Sequence, residues 1–62
     1  MTDYEKKLIE LKNTNAEIDT YMGVDDSLVI QYFINDYVFT EFVYTENGDF
    51  VEEYTINCYP KS

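Results

Sequence analysis

Carboxylates are the only side chains in this chain numerous enough to suggest chemistry. Glu52 and Glu53 are adjacent, as are Asp25 and Asp26. Two carboxyls facing each other across a cleft are what glycoside cleavage requires. Successive residues of a strand point to opposite faces, so Glu52 and Glu53 cannot converge in this way. Asp25 and Asp26 could ligate a hard cation together with Glu46 or Asp49, but their spacing is not that of a calcium hand. A solvated acidic end is the plainer reading. There is no His to act as a general base and no Arg to clamp a phosphate. Ser27 and Ser62 have no neighbouring base to activate them. Cys58 is alone, which excludes an internal disulfide and, with no His present, a structural zinc site. Its alternation with Ile56 predicts a buried structural thiol. The expectation is a protein that is not an enzyme, with no catalytic residues, no metal and no cofactor.

The distribution of charge says more than any pair of residues. Between Asn13 and Pro60 there are ten carboxylates and no Lys, Arg or His. Residues 1–12 balance three acids against three lysines, and Lys61 is the fourth base, so nearly the whole net charge of −9 comes from one uninterrupted block. Like charges repel and weaken a compact fold, so domains normally mix signs. A block this one-sided predicts a surface for a basic partner. Solubility is the competing explanation for acidity. The charge also argues against direct contact with nucleic acid or an anionic membrane, both of which require bases.

The elements that must position these groups make one small domain, residues 1–62. At 45% apolar and 18% aromatic the chain is far from the composition of a disordered acidic tail. Neither a signal-like N-terminal segment nor a long apolar run is present, which predicts a soluble, cytoplasmic protein without a membrane span. Thr2 and Glu5 fit a capping box. Tyr4, Leu8 and Leu11 form a helical stripe that Ile18 and Met22 could continue. The run Asn13-Thr14-Asn15 favours a turn. The helix therefore ends near Asn13 with Ala16–Met22 as a short edge strand, or it runs on to about residue 22; the shorter helix is preferred. Leu28–Ile34, Tyr37–Thr45 and Phe50–Tyr59 read as strands, and Pro60 as the stop of the last. The fold class is α+β: an N-terminal helix packed on a three-stranded antiparallel sheet, with a possible fourth edge strand.

Two turns set the register. Asn47-Gly48 is a strong signal for a two-residue type I′ hairpin and would place Val43 opposite Glu52, Glu41 opposite Tyr54 and Phe39 opposite Ile56. Asn35-Asp36, a weaker form of the same signal, would place Tyr32 opposite Phe39 and Leu28 opposite Val43. Together they predict one apolar face beneath the helix, built from Leu28, Ile30, Tyr32, Ile34, Tyr37, Phe39, Val43, Phe50, Tyr54, Ile56 and Cys58. Glu41 and Glu52 also point that way, as blemishes near its rim. The opposite face would carry Val29, Phe33, Val38, Phe42, Tyr44 and Val51. One short helix cannot cover both faces, and exposed apolar groups of that size mark an interface.

In its small size, its acidity, its sheet-plus-helix pattern and its Tyr-, Asn- and Ile-rich composition, the chain resembles the DNA-mimicking inhibitors of phages and mobile elements. These include anti-CRISPR proteins, anti-restriction proteins and uracil-DNA glycosylase inhibitors. The resemblance covers the whole chain in type, through no shared motif, so it assigns no residue a role. It implies stoichiometric inhibition of a nucleic-acid-binding enzyme, in a host cytoplasm if the chain is phage-encoded. The residues expected to bind such a basic partner are Asp25, Asp26, Asp36, Glu46, Asp49 and Glu53 for charge, with Phe42 and Tyr44 as apolar anchors. The rival expectations are a structural homodimer joined through the second sheet face, and an immunity protein or antitoxin.

Overall fold

The structure is a computed structural model in which residues 1–57 are described; the expectations for Cys58 and Pro60 fall outside the described residues. A helix, α1 (Asp3–Asn13), is followed by β1 (Glu17–Met22), a short 3-10 turn (Val24–Asp26), β2 (Leu28–Asn35), β3 (Val38–Tyr44) and β4 (Phe50–Asn57). The strands form one antiparallel sheet in the order β1-β2-β3-β4. The fold is α+β, and the sheet has four strands.

The ends of α1 are set by local chemistry. Thr2 Oγ1 accepts the Glu5 N–H at 3.1 Å and Glu5 Oε1 accepts the Thr2 N–H at 3.0 Å, which satisfies two amides that a helix start leaves open. At the other end the Thr14 and Asn15 amides bond the Leu11 and Lys12 carbonyls, and Asn15 turns left-handed at φ 58°. The apolar stripe therefore breaks at Asn13, and its continuation, Ile18, reaches the same core from a strand.

The core lies between α1 and one face of the sheet. Leu11, Ile30, Phe42 and Tyr44 are buried there, with Tyr4, Leu8, Ile18, Leu28 and Tyr32 packed around them. The Tyr4 ring meets Tyr44 edge-on, 5.5 Å between centroids. Phe42 and Tyr44 are thus inside the protein, under the helix, and not on the exposed face where the sequence pattern placed them.

The cause is a slip of one residue between β2 and β3. Leu28 pairs with Tyr44, Ile30 with Phe42 and Phe33 with Phe39, one step away from the expected register. Two changes combine to give the slip. Asn35 Oδ1 accepts the amides of Tyr37 at 2.8 Å and Val38 at 3.0 Å, so the turn is centred on Asp36-Tyr37, which shifts the pairing by two and by itself keeps the faces. The bulge at Ile34, just before the turn, takes one step back and leaves the net shift of one. Because side chains alternate, one residue exchanges the whole face of β3. Phe39 and Val43 move to the uncovered side, and Phe42 and Tyr44 come under the helix. Tyr37, expected in the core, is half exposed in the turn.

Between β3 and β4 the expected pairs do form: Val43 with Glu52, Glu41 with Tyr54 and Phe39 with Ile56. The turn that delivers them is of another type. The Gly48 amide bonds the Thr45 carbonyl and the Thr45 amide bonds the Asp49 carbonyl, both at 2.8 Å, and only Gly48, at φ 91°, is left-handed. This is a three-residue loop with a bulged glycine. The extra loop residue is offset by a bulge near Val51, which restores the register beyond it. Phe50, ahead of that bulge, pairs with Tyr44, and the two rings lie edge-to-face at 5.8 Å. The left-handed pair expected at Asn47-Gly48 occurs instead at Asp25 (φ 56°) and Asp26 (φ 60°).

Gly48 also anchors the helix. Its carbonyl accepts the Tyr4 amide at 3.0 Å, and Asp3 Oδ2 accepts the Phe50 amide at 3.1 Å. A Cβ on Gly48 would lie 2.7 Å from both Cβ and Oγ1 of the capping Thr2. Gly48→Ala combines that clash with a left-handed backbone. It should cost about 1–3 kcal/mol, read as a lower urea midpoint; an unchanged midpoint would mean that the turn relaxes away from Thr2.

Candidate functional site

The helix covers one face of the sheet, and no described element covers the other. By register the uncovered face presents Glu17, Asp19 and Tyr21 from β1, Val29, Gln31 and Phe33 from β2, Phe39, Glu41 and Val43 from β3, and Glu52, Tyr54 and Ile56 from β4. It is an apolar and aromatic surface edged by carboxylates. Among the described residues it carries no basic side chain, because Lys6, Lys7 and Lys12 all lie on α1.

Glu41 stands at its centre and is only 6% exposed. A buried carboxylate needs hydrogen bonds to offset its lost hydration. Glu41 has three: Tyr21 Oη donates to Oε1 at 2.8 Å, Gln31 Nε2 donates to Oε1 at 3.1 Å, and Tyr54 Oη donates to Oε2. Tyr21 belongs to β1, two strands from Glu41. Its side chain must therefore cross β2, where its register partner Val29 is buried. Tyr54 comes from the other edge strand. The two tyrosines, one from each edge strand, clasp one carboxylate on the uncovered face.

The electrostatics of this clasp are consistent. Burial pushes the Glu41 carboxyl upward, but the hydrogen bonds from Tyr54, Tyr21 and Gln31 outweigh it and hold the group below its ordinary value. The Tyr54 hydroxyl, tied to Glu41, is pushed up to about 12, and Tyr21 is raised for the same reason. For Glu41 the folded value is the lower one, so its contribution to stability is complete above the ordinary carboxylate range and is lost as pH falls through the folded value. For the tyrosines the folded value is the higher one. Their contribution is complete below pH 10 and is lost as pH rises toward about 12. Glu41→Gln keeps the shape but removes the charge. It should lower stability near pH 7 by about 1–3 kcal/mol and flatten both the acid and the alkaline limb of urea midpoint against pH. Limbs as steep as the parent's would show that other groups govern them.

The expected partner-binding residues do not form one site. Asp25 and Asp26 lie at the same end of the sheet as Glu46 and Asp49, since Met22 pairs with Leu28, Leu28 with Tyr44 and Tyr44 with Phe50. They belong to two different turns, and no group of three or more metal-ligating side chains comes together among the described residues. Asp25 and Asp26 also serve their own turn, because Asp tolerates the left-handed backbone both adopt. Asp36 is in the turn at the opposite end. Glu53 pairs with Phe42 on the helix side. There it lines an open cleft of about 380 Å³ between α1 and β4, floored by Phe42, Tyr44 and Phe50. Lys7 beside it is engaged, 2.6 Å from Glu10 and 4.9 Å from the centroid of the Phe42 ring. Burial and the nearby carboxylates push the Tyr44 hydroxyl up to about 12.

Tyr21, Gln31, Glu41 and Tyr54 were not among the expected site residues. The one signal for them was Glu41 itself, a carboxylate that the expected register placed beneath the helix.

No helix among the described residues is long and apolar enough to cross a membrane. Compared with protein-family models, curated proteins and solved structures, the chain matches none.

Proposed function

We propose that this protein is a stoichiometric inhibitor that binds a basic, nucleic-acid-binding protein and occupies the surface nucleic acid would otherwise use. The observation that carries this reading is the segregation of charge. From residue 13 to residue 60 there is no base among ten acids, and the three N-terminal lysines sit on the one helix. Duplex DNA presents about one charge per 1.7 Å of axis, so a protein that displaces it must offer dense negative charge. Asp25, Asp26, Glu46 and Asp49 at one end, with Glu17, Asp19 and Glu52 around the uncovered face, meet that need on a rigid sheet. The apolar anchors belong to the uncovered face, at Phe39, Val43 and their neighbours, since Phe42 and Tyr44 are spent on the core. The protein binds without catalysis and touches no nucleic acid itself.

The test is competition. A target captured from lysate on the immobilised protein and eluted with salt is mixed with labelled DNA or RNA and increasing amounts of this protein. Displacement of the nucleic acid at one-to-one stoichiometry supports the reading. A ternary complex overturns it.

A further inference from the structure

The uncovered sheet face has a feature that net acidity alone does not supply. Tyr21 and Tyr54 are 45% and 42% exposed although both hydroxyls are turned inward onto Glu41. What they leave in water is therefore ring. The negative face of an aromatic ring attracts a cation, and a phenol donating to an ionised carboxylate is enriched in electron density. The anion lies at the hydroxyl end of both rings. A carboxylate offers about four acceptor positions; three on Glu41 are taken, and one on Oε2 is left. Val43, Phe39 and Phe33 surround this centre with apolar surface, and Glu17, Asp19 and Glu52 edge it.

We propose that this face, and not the acidic turns, is the docking surface, and that its occupant is an apolar protein surface bearing arginine, with a guanidinium stacked on the Tyr21–Tyr54 platform over Glu41. Charge complementarity selects the occupant. A second copy of this chain would bring three edge carboxylates against three others, with no cation among the described residues of either face. Arginine is favoured over lysine because its planar, weakly hydrated guanidinium stacks on rings and loses less on leaving water. The inference rests on the reading of a basic partner and adds where that partner docks and through which side chain.

The test uses the whole protein, isotopically labelled, and two synthetic peptides, one of alternating arginine and leucine and one with lysine in place of arginine. The expected result is that amide shifts centre on Tyr21, Gln31, Glu41, Val43 and Tyr54, and that the arginine peptide binds about 2–5-fold tighter. Glu41→Leu, and independently Tyr54→Leu at the sheet edge, should abolish that preference while circular dichroism stays native. The proposal is overturned by shifts confined to the Asp25–Asp26 and Glu46–Asp49 turns. Equal affinity for the two peptides, or sedimentation as a dimer that hides the face, overturns it as well. Shifts at the turns would leave the basic-partner reading standing. A ternary complex with nucleic acid would overturn that reading and leave a mapped face in place.

Discussion

Phe42→Ala is expected to remove about a third or more of the protein's stability. Phe42 is 7% exposed and lies in the only layer where helix and sheet meet among the described residues. Truncating a buried Phe costs about 3–5 kcal/mol. Stability of roughly 0.05–0.15 kcal/mol per residue gives this chain about 3–9 kcal/mol in total. A small core cannot collapse around the lost ring, because Ile30 and Tyr44 beside it are already almost fully buried. The matching change on the other face, Phe39→Ala, removes a half-buried ring tilted against Phe33, 5.5 Å between centroids, and should cost only about 1–2 kcal/mol. Urea unfolding of both variants decides the matter. A larger loss at Phe39 than at Phe42 would mean that the helix covers the opposite face of β3.

Association with the proposed basic target should fall about tenfold or more between low and high salt. Opposite charges steer encounter and raise association rates by about 10–10³, and this steering is screened beyond about 8–10 Å at physiological ionic strength. Asp25→Lys combined with Asp49→Lys reverses two exposed charges at the same end of the sheet; Lys at the left-handed Asp25 costs that turn some stability but leaves the core untouched. It should slow association far more than it speeds dissociation, because rim charges act on encounter. It should also let nucleic acid return to the target in the competition assay. Stopped-flow or surface-plasmon rates at two salt concentrations provide the check. An effect wholly on dissociation would place these residues inside the contact and not at its rim.

The helix and its start were legible because their signals are local, and its end was legible as the preferred of two readings. Thr2 and Glu5 cap the start, Asn13-Thr14-Asn15 stops the end, and both work through neighbours within three residues. The last three strands were legible for the same reason, whereas Ala16–Met22, which continues the helical stripe and also alternates, stood between edge strand and helix. The faces were not, because a face depends on the parity of a turn. Asn35 and Asp36 suggested the centre of a hairpin, but Asn35 acts from the strand end by accepting two amides, and the bulge at Ile34 then leaves the register displaced by one. The β3–β4 pairing came out as expected only because a longer loop and a bulge cancel. Glu41 held the information needed to choose. One register sets a lone carboxylate on the face beneath the apolar stripe of the helix. The other gives it two tyrosines and a glutamine. The acidic residues could be named but not grouped, since whether Asp25, Asp36 and Glu53 share a site is settled by strand order and not by composition.

The bonds from Asp3 and Tyr4 to the β3–β4 turn have a consequence for the order of events in folding. Every strand pairs with its sequence neighbour, so the sheet is assembled from hairpins whose loops close quickly. The contacts of Asp3 with Phe50 and Tyr4 with Gly48 span most of the chain, and their partners exist only after the last hairpin has formed. The helix precedes the strands in the chain but is expected to dock after them, because the floor for its stripe of Tyr4, Leu8 and Leu11 is the assembled sheet. Leu8→Ala should therefore speed unfolding while leaving the refolding rate nearly unchanged, the two arms of one chevron plot; slowed refolding would place helix docking before the rate-limiting step.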